Sequence, residues 1–534
     1  MARLGSGRDP ERQTRGAKPA PAALDATAAA SLEHAQRLTA QGREQDALIT
    51  CKRLYAQAPR NPDVLGLLGY LCGRTGQLEK ALMYLAEALL LAPRRQLVLY
   101  HLAGVYLQAG APMHALHALR SYQIEVDQAP IAQDVPEVSS LTVTLTMFVH
   151  QTPGIAQLAP AAQERAMMVA ERGRMRLLFS GDPENALAPL REAIRLAPRY
   201  PQPRNNLSLA YFYNGQRDQA VSTLETTLRD VDPDNVYALA TLAFVRWAGG
   251  EEGEASRAVL SRAVALLEPG SRILDRTRVA EVAGVLGDHA LAHAVLAGPG
   301  VPAPDPTDPL EGPAGAVVHI RLLAAALANL GQSEEAAALL RDSTTLPGDA
   351  AARRLLAAID QGDTLSPAVG GGYPYLGWED LLAAPVLRRA VAGGAPRRSL
   401  RPPPPPAPAA IVAALTRLCP RLPLVAALLI WMGEPALENL GLTLLALAGT
   451  PAADAVLDAH LRGTAGSYAG RQQAGYALLD SGRLPNGTQV PFWSGTDWTE
   501  IRLFRLVPPV GRDPAALIAT LTRLLERLAA PSEQ

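Results

Sequence analysis

The stretch Pro62–Pro93, PDVLGLLGYLCGRTGQLEKALMYLAEALLLAP, decides the fold of this chain. Its apolar residues recur at helical spacing in two stripes: Leu65, Leu68 and Leu71, then Ala81, Leu85, Ala88 and Leu89. Gly73 and Gly76 separate the stripes, and Pro93 closes the second because proline cannot continue a helix. The stretch therefore predicts two short amphipathic helices packed back to back.

The same unit returns along the chain with a period of 34 residues. Its marker residues are Ala35, Gly42, Ala47 and Pro59, then Gly69, Gly76, Ala81 and Pro93, then Ala103, Gly110 and Ala115. The small residue in each first helix lets the second helix approach closely, and the glycine lets the chain turn between the two. A fixed period of this length indicates an array of stacked helical pairs.

The pattern continues in a second block after an interruption. Its markers are Gly181, Ala186, Ala193 and Pro198, then Gly215 and Ala220, then Gly250 and Ala255, with weaker units near Gly287 and Gly331. We count roughly eight units between residues 27 and 341. The interruption contains the β-branched run Ser139–Val149. A lone strand would have nothing to pair with, so an irregular helix or an insertion is favoured there.

These spacings resemble the tetratricopeptide repeat (TPR) family, most clearly in Pro62–Pro93 and Pro201–Pro233. The resemblance implies an all-α fold, an αα-superhelix in which the first helices of successive units line a concave groove. In this family the groove holds peptides or extended segments of other proteins, so a protein or peptide partner is expected. The positions that match the groove are Tyr70, Arg74, Tyr100, His101, Gln108, Arg172, Asn205, Asn206, Phe212, Tyr213, Tyr237, Phe244 and Trp247.

Two kinds of residue are distinguished among these positions. Phe212, Phe244 and Trp247 fit the core between repeats as well as a contact surface, because large aromatic residues dominate cores and interfaces alike. Asn205 and Asn206, with Tyr213, are stronger candidates for contact. An amide side chain can both donate to a peptide main chain and accept from it.

One TPR subclass grips the C-terminal carboxylate of chaperones with Lys, Asn and Arg side chains. Asn206 fits one of those positions. Gly66 and Leu67 stand where two others require polar residues, and Tyr70 replaces an Asn. Capture of a chaperone tail is therefore not expected.

A different organisation follows the array. Five consecutive prolines, Pro402–Pro406, within a basic stretch predict an extended spacer. Leu437–Gly463 and Gly470–Gly482 resemble HEAT-type helical repeats through a small-residue helix, a Gly-Thr-Pro turn and an Arg before the next Ala-rich helix. Beyond them, Asn486–Gly487 is a hairpin turn signal, and Asp513–Ala530 predicts a capping helix. The predicted segments are a disordered arm at 1–25, TPR block 1 at 26–122, an irregular insertion at 123–163, TPR block 2 at 164–345, a Gly/Pro/Arg-rich linker at 346–410 and a HEAT-like helical domain at 411–534.

Composition narrows the class of protein. The chain has 534 residues, a net charge of −1, 5% aromatic residues and three cysteines. This charge does not favour nucleic acid as a partner, and three widely spaced cysteines cannot form a disulfide framework or a four-thiolate zinc site. The charged N-terminus lacks the apolar run of a secretory signal, and no segment is long enough to cross a bilayer. We therefore expect a cytoplasmic protein without a membrane partner, and the scarcity of lysine beside abundant arginine indicates a GC-rich bacterial genome.

No pattern in the chain predicts catalysis. Acidic residues recur once per unit at the start of second helices, where the helix dipole favours them, whereas a catalytic carboxylate pair would occur once. The pairs His114/His117 and His289/His293 lack a convincing third metal ligand. A phosphate-binding loop is missing, and Ser467 does not lie in a nucleophile elbow. We therefore expect a noncatalytic scaffold or adaptor with no cofactor and no metal.

Two other functions remain open. Phe492, Trp493 and Trp498 would wall a pocket if the C-terminal domain bound a regulatory ligand. Loss of a residual activity on mutation of Asp497 would indicate an enzyme, and no such activity is expected. The arginine-rich arm and linker would contact phosphates if the protein bound nucleic acid. The linker arginines are Arg388, Arg389, Arg397, Arg398 and Arg401. No aromatic residues are interleaved with them for base stacking, so a solvated linker is favoured.

Overall fold

The structure is a computed structural model that describes residues 24–128, 137–178, 182–251, 253–298, 312–342, 350–382 and 408–504. The chain divides into two compact units, Met1–Val105 with His117–Val138 and Tyr106–Leu116 with Ser139–Gln534. The described residues form twenty-three α-helices and one β-hairpin. The predicted all-α class is confirmed.

Up to residue 342, most helices come in consecutive pairs. In chain order they are α1 (Ala26–Ala40) with α2 (Glu44–Gln57), α3 (Pro62–Arg74) with α4 (Leu78–Leu91), α5 (Gln96–Gln108) with α6 (Pro112–Gln128), the single helix α7 (Glu137–Gln151), α8 (Pro160–Leu178) with α9 (Pro183–Leu196), α10 (Pro201–Tyr213) with α11 (Arg217–Asp230), α12 (Val236–Ala248) with α13 (Gly253–Ala265), α14 (Ile273–Val285) with α15 (His289–Ala297), and α16 (Gly312–Asn329) with α17 (Ser333–Asp342). The described part of this region therefore holds eight pairs, the number that the period predicts.

The pair α3–α4 shows how the repeated markers work. The side chain of Asn61 accepts hydrogen bonds from the main-chain N–H groups of Asp63 and Val64 at 2.9 and 3.1 Å, which caps α3 ahead of its first residue, Pro62. Gly76 has a φ of 76°, in the left-handed region that favours glycine, and so lets the chain turn into α4. Glycines at the same turn of other pairs share this conformation: Gly42, Gly110, Gly215, Gly250, Gly287 and Gly331.

The small residue inside α3 permits a close approach by α4. A Cβ atom built on Gly69 would lie 2.5 Å from Cγ of Leu85 and 3.2 Å from the carbonyl oxygen of Ala81. Gly104 in α5 lies one residue beyond the matching position, and a Cβ atom there meets none of the described atoms within 4 Å. The two glycines therefore differ in what surrounds them, although both lie inside first helices.

We expect Gly69→Ala to lower the free energy of unfolding by about 1–3 kcal/mol, because Leu85 and the backbone of α4 must move to admit the methyl group. Gly104→Ala is the matched control, and it should stabilise the protein by up to about 1 kcal/mol because alanine is the better helix former. Urea denaturation of the two full-length variants measures both effects. Equal effects would contradict the packing role of Gly69.

The β-branched run in the interruption between the two TPR blocks is helical. Ser139–Val149 lies within α7, where Leu145 and Val149 are fully buried. A helix satisfies its own main-chain hydrogen bonds, which a lone strand cannot do. Of the predicted insertion at 123–163, residues 129–136 lie outside the described residues.

The remaining elements belong to the second unit. They are α18 (Ala350–Gln361), α19 (Pro408–Leu418), α20 (Leu422–Trp431), α21 (Pro435–Ala448), α22 (Pro451–Arg462), α23 (Tyr468–Asp480), β1 (Thr488–Trp493) and β2 (Trp498–Leu503). Residues 362–382 follow α18 as an irregular segment with two short 3₁₀ turns.

Residues 350–382 are folded, which corrects the predicted linker at 346–410. Tyr375 and Trp378 in the irregular segment are each only 3% exposed. The sequence did not reveal this packing because the aromatic residues there follow no helical period. Residues 383–407, which include the run of prolines, lie outside the described residues.

Helix α20 joins this segment to the helices that follow it. The indole N–H of Trp431 donates to the carbonyl oxygen of Asp363 at 3.0 Å. Nε of Arg354 in α18 donates to the carbonyl oxygen of Trp431 at 2.6 Å, and the guanidinium lies 4.5 Å from the centre of the Trp431 ring. Three contacts thus fix α18 and residue 363 to the end of α20.

One buried core runs through the second unit from α11 to β2. Arg421, just before α20, donates to the carbonyl oxygen of Trp247 at 3.0 Å, and its guanidinium lies 4.8 Å from the centre of that indole ring. Helices α19 to α23 therefore share a core with the helical pairs. The prediction of a separate domain from residue 411 is corrected, whereas its HEAT-like character stays a prediction.

A buried charged cluster holds α21, α22 and α23 together. Oε1 of Glu438 accepts a hydrogen bond from the main-chain N–H of Ser467 at 2.7 Å and lies 3.3 Å from Nε2 of His460. Arg471 is 2% exposed. Its guanidinium donates to four main-chain carbonyl groups, those of Thr464, Ala465, Gly466 and Trp493. The loop before α23 is therefore held by side chains rather than by regular structure.

The last described elements form an antiparallel hairpin, β1 with β2. The chain reverses at Ser494–Asp497 and not at the predicted Asn486–Gly487, which precedes β1. The N–H of Ser494 donates to the carbonyl oxygen of Asp497 at 2.9 Å and closes the turn. The predicted capping helix at 513–530 lies outside the described residues.

The aromatic residues of the hairpin do not line one pocket. Phe492 is fully buried, whereas Trp498 is 53% exposed and faces Trp493 across the strands, with ring centres 5.6 Å apart. Successive residues of a strand point to opposite faces, so Phe492 and Trp493 lie on different sides of the hairpin. The predicted pocket wall is therefore corrected.

Candidate functional site

In the first unit, the predicted groove residues form three ring contacts. The ring of His101 in α5 lies 4.5 Å from that of Tyr70 in α3 and 6.1 Å from that of Tyr100, and the ring of Tyr100 lies 5.9 Å from that of Tyr122. Burial lowers the pKa of His101 to about 4, so its imidazole is neutral near pH 7. This face is therefore aromatic and uncharged.

Three other predicted positions are not part of these ring contacts. Arg74, at the end of α3, is exposed and forms an ion pair with Glu44 at 3.0 Å. Gln108 ends α5 in a half-buried position, and Arg172 is exposed on α8. The ion pair ties Arg74 to the preceding helical pair.

Asn205 and Asn206 of α10 lie inside the second unit rather than on its surface. They are 7% and 8% exposed, and Nδ2 of Asn205 donates to Oδ1 of Asn235 at 3.2 Å. Asn235 in turn caps α12 by accepting from the N–H of Ala238 at 2.8 Å. Asn205 therefore fixes the junction of α10 with α12, and both amides are poorly placed for the predicted contact with a peptide.

Phe244 and Trp247 of α12 are covered by arginine side chains. They are 1% and 7% exposed, and the guanidinium of Arg278 lies 4.4 Å from the centre of the Phe244 ring. Phe212 packs against Phe244 with ring centres 5.4 Å apart. The sequence left open whether these rings form a contact surface or the core between repeats. Their positions beneath other side chains fit the core.

Arg278 lies over the ring of Phe244, and its charge acts on polar side chains from three first helices. This polar cluster consists of Tyr213 from α10, Tyr237 from α12, and Arg278 and Glu281 from α14. Arg278 forms an ion pair with Glu281, and the two side chains are 11% and 17% exposed. Within the described residues, Nη2 of Arg278 is buried and has no hydrogen-bond partner. The cluster therefore contains a buried donor group that the described residues leave unpaired.

Burial and charge set the protonation states of the polar cluster. Burial raises the pKa of Tyr213 and of Tyr237, so both phenols stay protonated at neutral pH. Burial also raises the pKa of Glu281, against the opposing effect of Arg278. For Arg278 itself, burial lowers the pKa, but Glu281 and the two tyrosines raise it by more. The cluster thus presents a guanidinium and two phenols as donors, beside a carboxyl group.

Sequence analysis identified the two tyrosines of this cluster and missed Arg278 and Glu281. The unit before Gly287 has weak markers, and an Arg–Glu pair three residues apart is common on helix surfaces. A usable signal was present in the spacing. Asn206 lies nine residues before the turn glycine Gly215, and Arg278 lies nine residues before the turn glycine Gly287.

The same face of the second unit binds a stretch of the protein's own main chain. The side-chain amide of Asn329, at the end of α16, donates to the carbonyl oxygen of Tyr373 at 2.9 Å. It also accepts from the N–H of Tyr373 at 2.7 Å. Asn329 thus makes the two-way amide contact that sequence analysis assigned to Asn205 and Asn206.

Tyr375 continues this contact on the neighbouring helix. Its ring lies over Gly284 of α14, where a Cβ atom would come within 2.4 Å of the ring. Nδ1 of His289 and the hydroxyl oxygen of Tyr375 are 3.1 Å apart, and the two rings are stacked at 5.7 Å. First helices α14 and α16 therefore hold an irregular segment by its main chain and by one aromatic side chain.

A model of the tetratricopeptide repeat family matches residues 62–95. These residues include the helical pair from which the repeat was derived. The chain therefore contains a tetratricopeptide repeat at residues 62–95. TPR modules serve protein–protein interaction, so the repeats support a role as an interaction scaffold.

Three solved TPR structures illustrate the likeness. The TPR domain of P58(IPK) is 13% identical, with 74% of this chain and 97% of that chain covered and a TM-score of 0.24. The TPR2AB domain of yeast Sti1, in its pHSP90 complex, is 13% identical over 50% of this chain and 98% of that chain, with a TM-score of 0.21. A thermophilic TPR protein from Thermus thermophilus is 21% identical over 41% of this chain and 99% of that chain, with a TM-score of 0.17. No curated protein sequence matches the chain.

Beside helices α16 and α18 lies a small open cavity. Its lining is mostly apolar and includes Leu355, Leu376, Trp378, Leu428, Trp431 and the single charged residue Arg321. This cavity is formed by α16, α18, α20 and the irregular segment, and not by the hairpin aromatics that were predicted to wall a ligand pocket.

One histidine of each predicted pair is engaged in another contact. Nδ1 of His114 lies 2.7 Å from Oε2 of Glu171, and His289 contacts Tyr375. Among the described residues, no group of three or more His, Cys, Asp or Glu side chains is arranged to hold a metal ion. Nor does the described part of the chain contain a helix long and apolar enough to cross a membrane.

Proposed function

We propose that the protein is a noncatalytic cytoplasmic scaffold that binds an extended segment of a protein partner along the first TPR helices of its second unit. The observation that carries this proposal is the polar cluster, in which Arg278 keeps a buried donor without a partner among the described residues. Leaving such a donor unpaired is costly, so a bound acceptor there would be strongly stabilised.

The cluster suits the main chain of a peptide. Nη2 of Arg278 can donate to a peptide carbonyl group, and the hydroxyl groups of Tyr213 and Tyr237 can both donate and accept. Arg278 and Glu281 carry opposite charges, so the cluster does not select a strongly acidic or basic segment. Asn329 supports the proposal from the same face, since it already holds the main chain of Tyr373.

The test uses the full-length protein and a library of random extended peptides. A variant carrying Tyr213→Phe, Tyr237→Phe and Arg278→Gln removes the polar groups while it keeps both rings. We expect peptides selected by the wild type to bind this variant about tenfold or more weakly, because hydrogen bonds to charged groups each contribute about 1.5–3 kcal/mol. Affinities are measured by titration calorimetry.

The control for this test is Arg262→Gln, an exposed position on the second helix α13. It should leave peptide affinity unchanged, and thermal melting should show that both variants remain folded. The proposal fails if no peptide is enriched, or if the triple variant binds the selected peptides as tightly as the wild type does.

The arginines that would bind phosphates, in the arm at 1–23 and at 388–401, lie outside the described residues. Binding to nucleic acid through them stays the alternative that the sequence does not favour.

A further inference from the structure

The two strands of the hairpin expose very different edges. The hydrogen bond from Ser494 N–H to Asp497 defines a bonded pair, and bonded pairs alternate along antiparallel strands. In β2, residues 499, 501 and 503 therefore direct their main-chain groups toward β1, and residues 498, 500 and 502 direct theirs outward. Outward positions of β1 include Pro491, which has no N–H and so blocks pairing on that side.

The outer edge of β2 is open within the described part of the chain. The N–H and C=O groups of Trp498, Glu500 and Arg502 all point away from β1, and the described sheet has no third strand. Long unpaired edges of this kind template the addition of another strand, which proteins usually prevent with proline or a cover. Here β1 carries that protection and β2 does not.

The side chains of β2 are complementary to a second copy of the same strand. An antiparallel copy centred on Ile501 places Glu500 opposite Arg502 and Arg502 opposite Glu500. The same register places Trp498 opposite Phe504, which are 53% and 49% exposed. Both kinds of cross-strand pair stabilise sheets.

We propose that the protein forms a symmetric homodimer by antiparallel pairing of β2 with β2 of a second copy, centred on Ile501. The two hairpins then join into one four-stranded sheet in which the outward main-chain groups of β2 are paired and the strands β1, each carrying Pro491, form both outer edges.

Charge selects this register over the next one. A register shifted by two residues would also bring the outward main-chain groups of the two β2 strands opposite each other. It would place Glu500 opposite Glu500 of the other copy. Like charges directly opposite each other destabilise a sheet. The same argument favours a second copy over an unrelated strand, because the strand is complementary to itself in charge and in exposed aromatic residues.

The test is a charge exchange in the full-length protein, followed by sedimentation velocity over about a hundredfold range of concentration. The wild type should dimerise. Glu500→Arg alone and Arg502→Glu alone should each weaken dimerisation about tenfold or more, since each places like charges opposite each other at two symmetric positions. Glu500→Arg combined with Arg502→Glu in one chain should restore it.

Mixing the two single variants provides the decisive control. One then carries arginine at both positions and the other carries glutamate at both, so only the mixed dimer should form. Glu500→Pro, which copies the protection of Pro491, should give a monomer with an unchanged circular dichroism spectrum.

Either of two results would overturn the proposal: a wild type that stays monomeric throughout the concentration range, or a dimer that neither the single charge changes nor Glu500→Pro weakens. In the second case the contact lies elsewhere on the chain. The TPR polar cluster is untouched by these variants, so peptide binding and dimerisation can fail independently.

Discussion

A Glu438→Gln variant is expected to lose about 3 kcal/mol of the free energy of unfolding at neutral pH. Glu438 is 4% exposed, and Arg471 beside it is 2% exposed. Burial lowers the pKa of Arg471, and the charge of Glu438 opposes this effect, so the substitution leaves a buried guanidinium without its nearby counter-charge. Breaking such an arrangement is far more costly than losing an exposed ion pair.

The loss should depend on pH in a defined direction. Burial raises the pKa of Glu438, but hydrogen bonds from His460 and Ser467 lower it by more, so the net pKa in the folded protein lies below its ordinary value. A carboxyl group of this kind stabilises the fold above its unfolded pKa, and the contribution disappears as the pH falls through the folded pKa. The difference between wild type and Glu438→Gln should therefore be largest at neutral pH and shrink in acid.

Urea denaturation at a series of pH values measures this difference, with Glu254→Gln, an exposed carboxylate in the first turn of α13, as the control. The control should change stability by less than about 0.5 kcal/mol. A Glu438→Gln variant as stable as the wild type at neutral pH, or a loss that is constant down to acidic pH, would contradict the assigned role of the cluster.

Trp431→Ala should lower the free energy of unfolding by about 3–5 kcal/mol. The indole is 9% exposed, donates to Asp363 and lies against the guanidinium of Arg354. Its removal leaves a cavity and an unpaired carbonyl group at the place where α18, residue 363 and α20 meet. Because these elements share one core, the whole second unit should unfold at lower denaturant concentration in one transition.

The matched control is Trp498→Ala, which removes the same side chain from a position that is 53% exposed. It should cost much less, since little apolar surface leaves the core. Thermal and urea unfolding followed by circular dichroism compare the two variants. If Trp431→Ala detached residues 350–382 in a separate early transition while the rest unfolded as in the wild type, the shared core would be refuted.

The repeated part of the fold could be predicted because its determinants are local. A turn glycine, a small residue in the first helix and a closing proline act within one unit, and each recurs at a readable period. Asn329 and Tyr373 lie 44 residues apart, and Arg421 and Trp247 lie 174 apart. Contacts at such separations follow no period, which is why the packing of residues 350–382 and of α19 to α23 could not be predicted.

Only part of the candidate site could be predicted from the sequence, for a related reason. Helical position shows that Tyr213 and Tyr237 belong to first helices, but it does not show how deeply a side chain is covered. Asn205 and Phe244 have suitable chemistry and suitable spacing, yet Asn205 is bonded to Asn235, the residue that caps α12, and Phe244 lies under Arg278. Burial depends on the neighbouring repeats, and their exact approach is set by residues outside the unit.

The contact between Asn329 and Tyr373 also limits how this protein can change in length. Repeat arrays usually grow or shrink by duplication or loss of units, because each unit touches only its neighbours. A unit added after α17 would have to break both hydrogen bonds to Asn329 and lift Tyr375 from Gly284 before it could stack. At this end the array is closed by the chain that follows it, and the number of repeats is fixed by the fold.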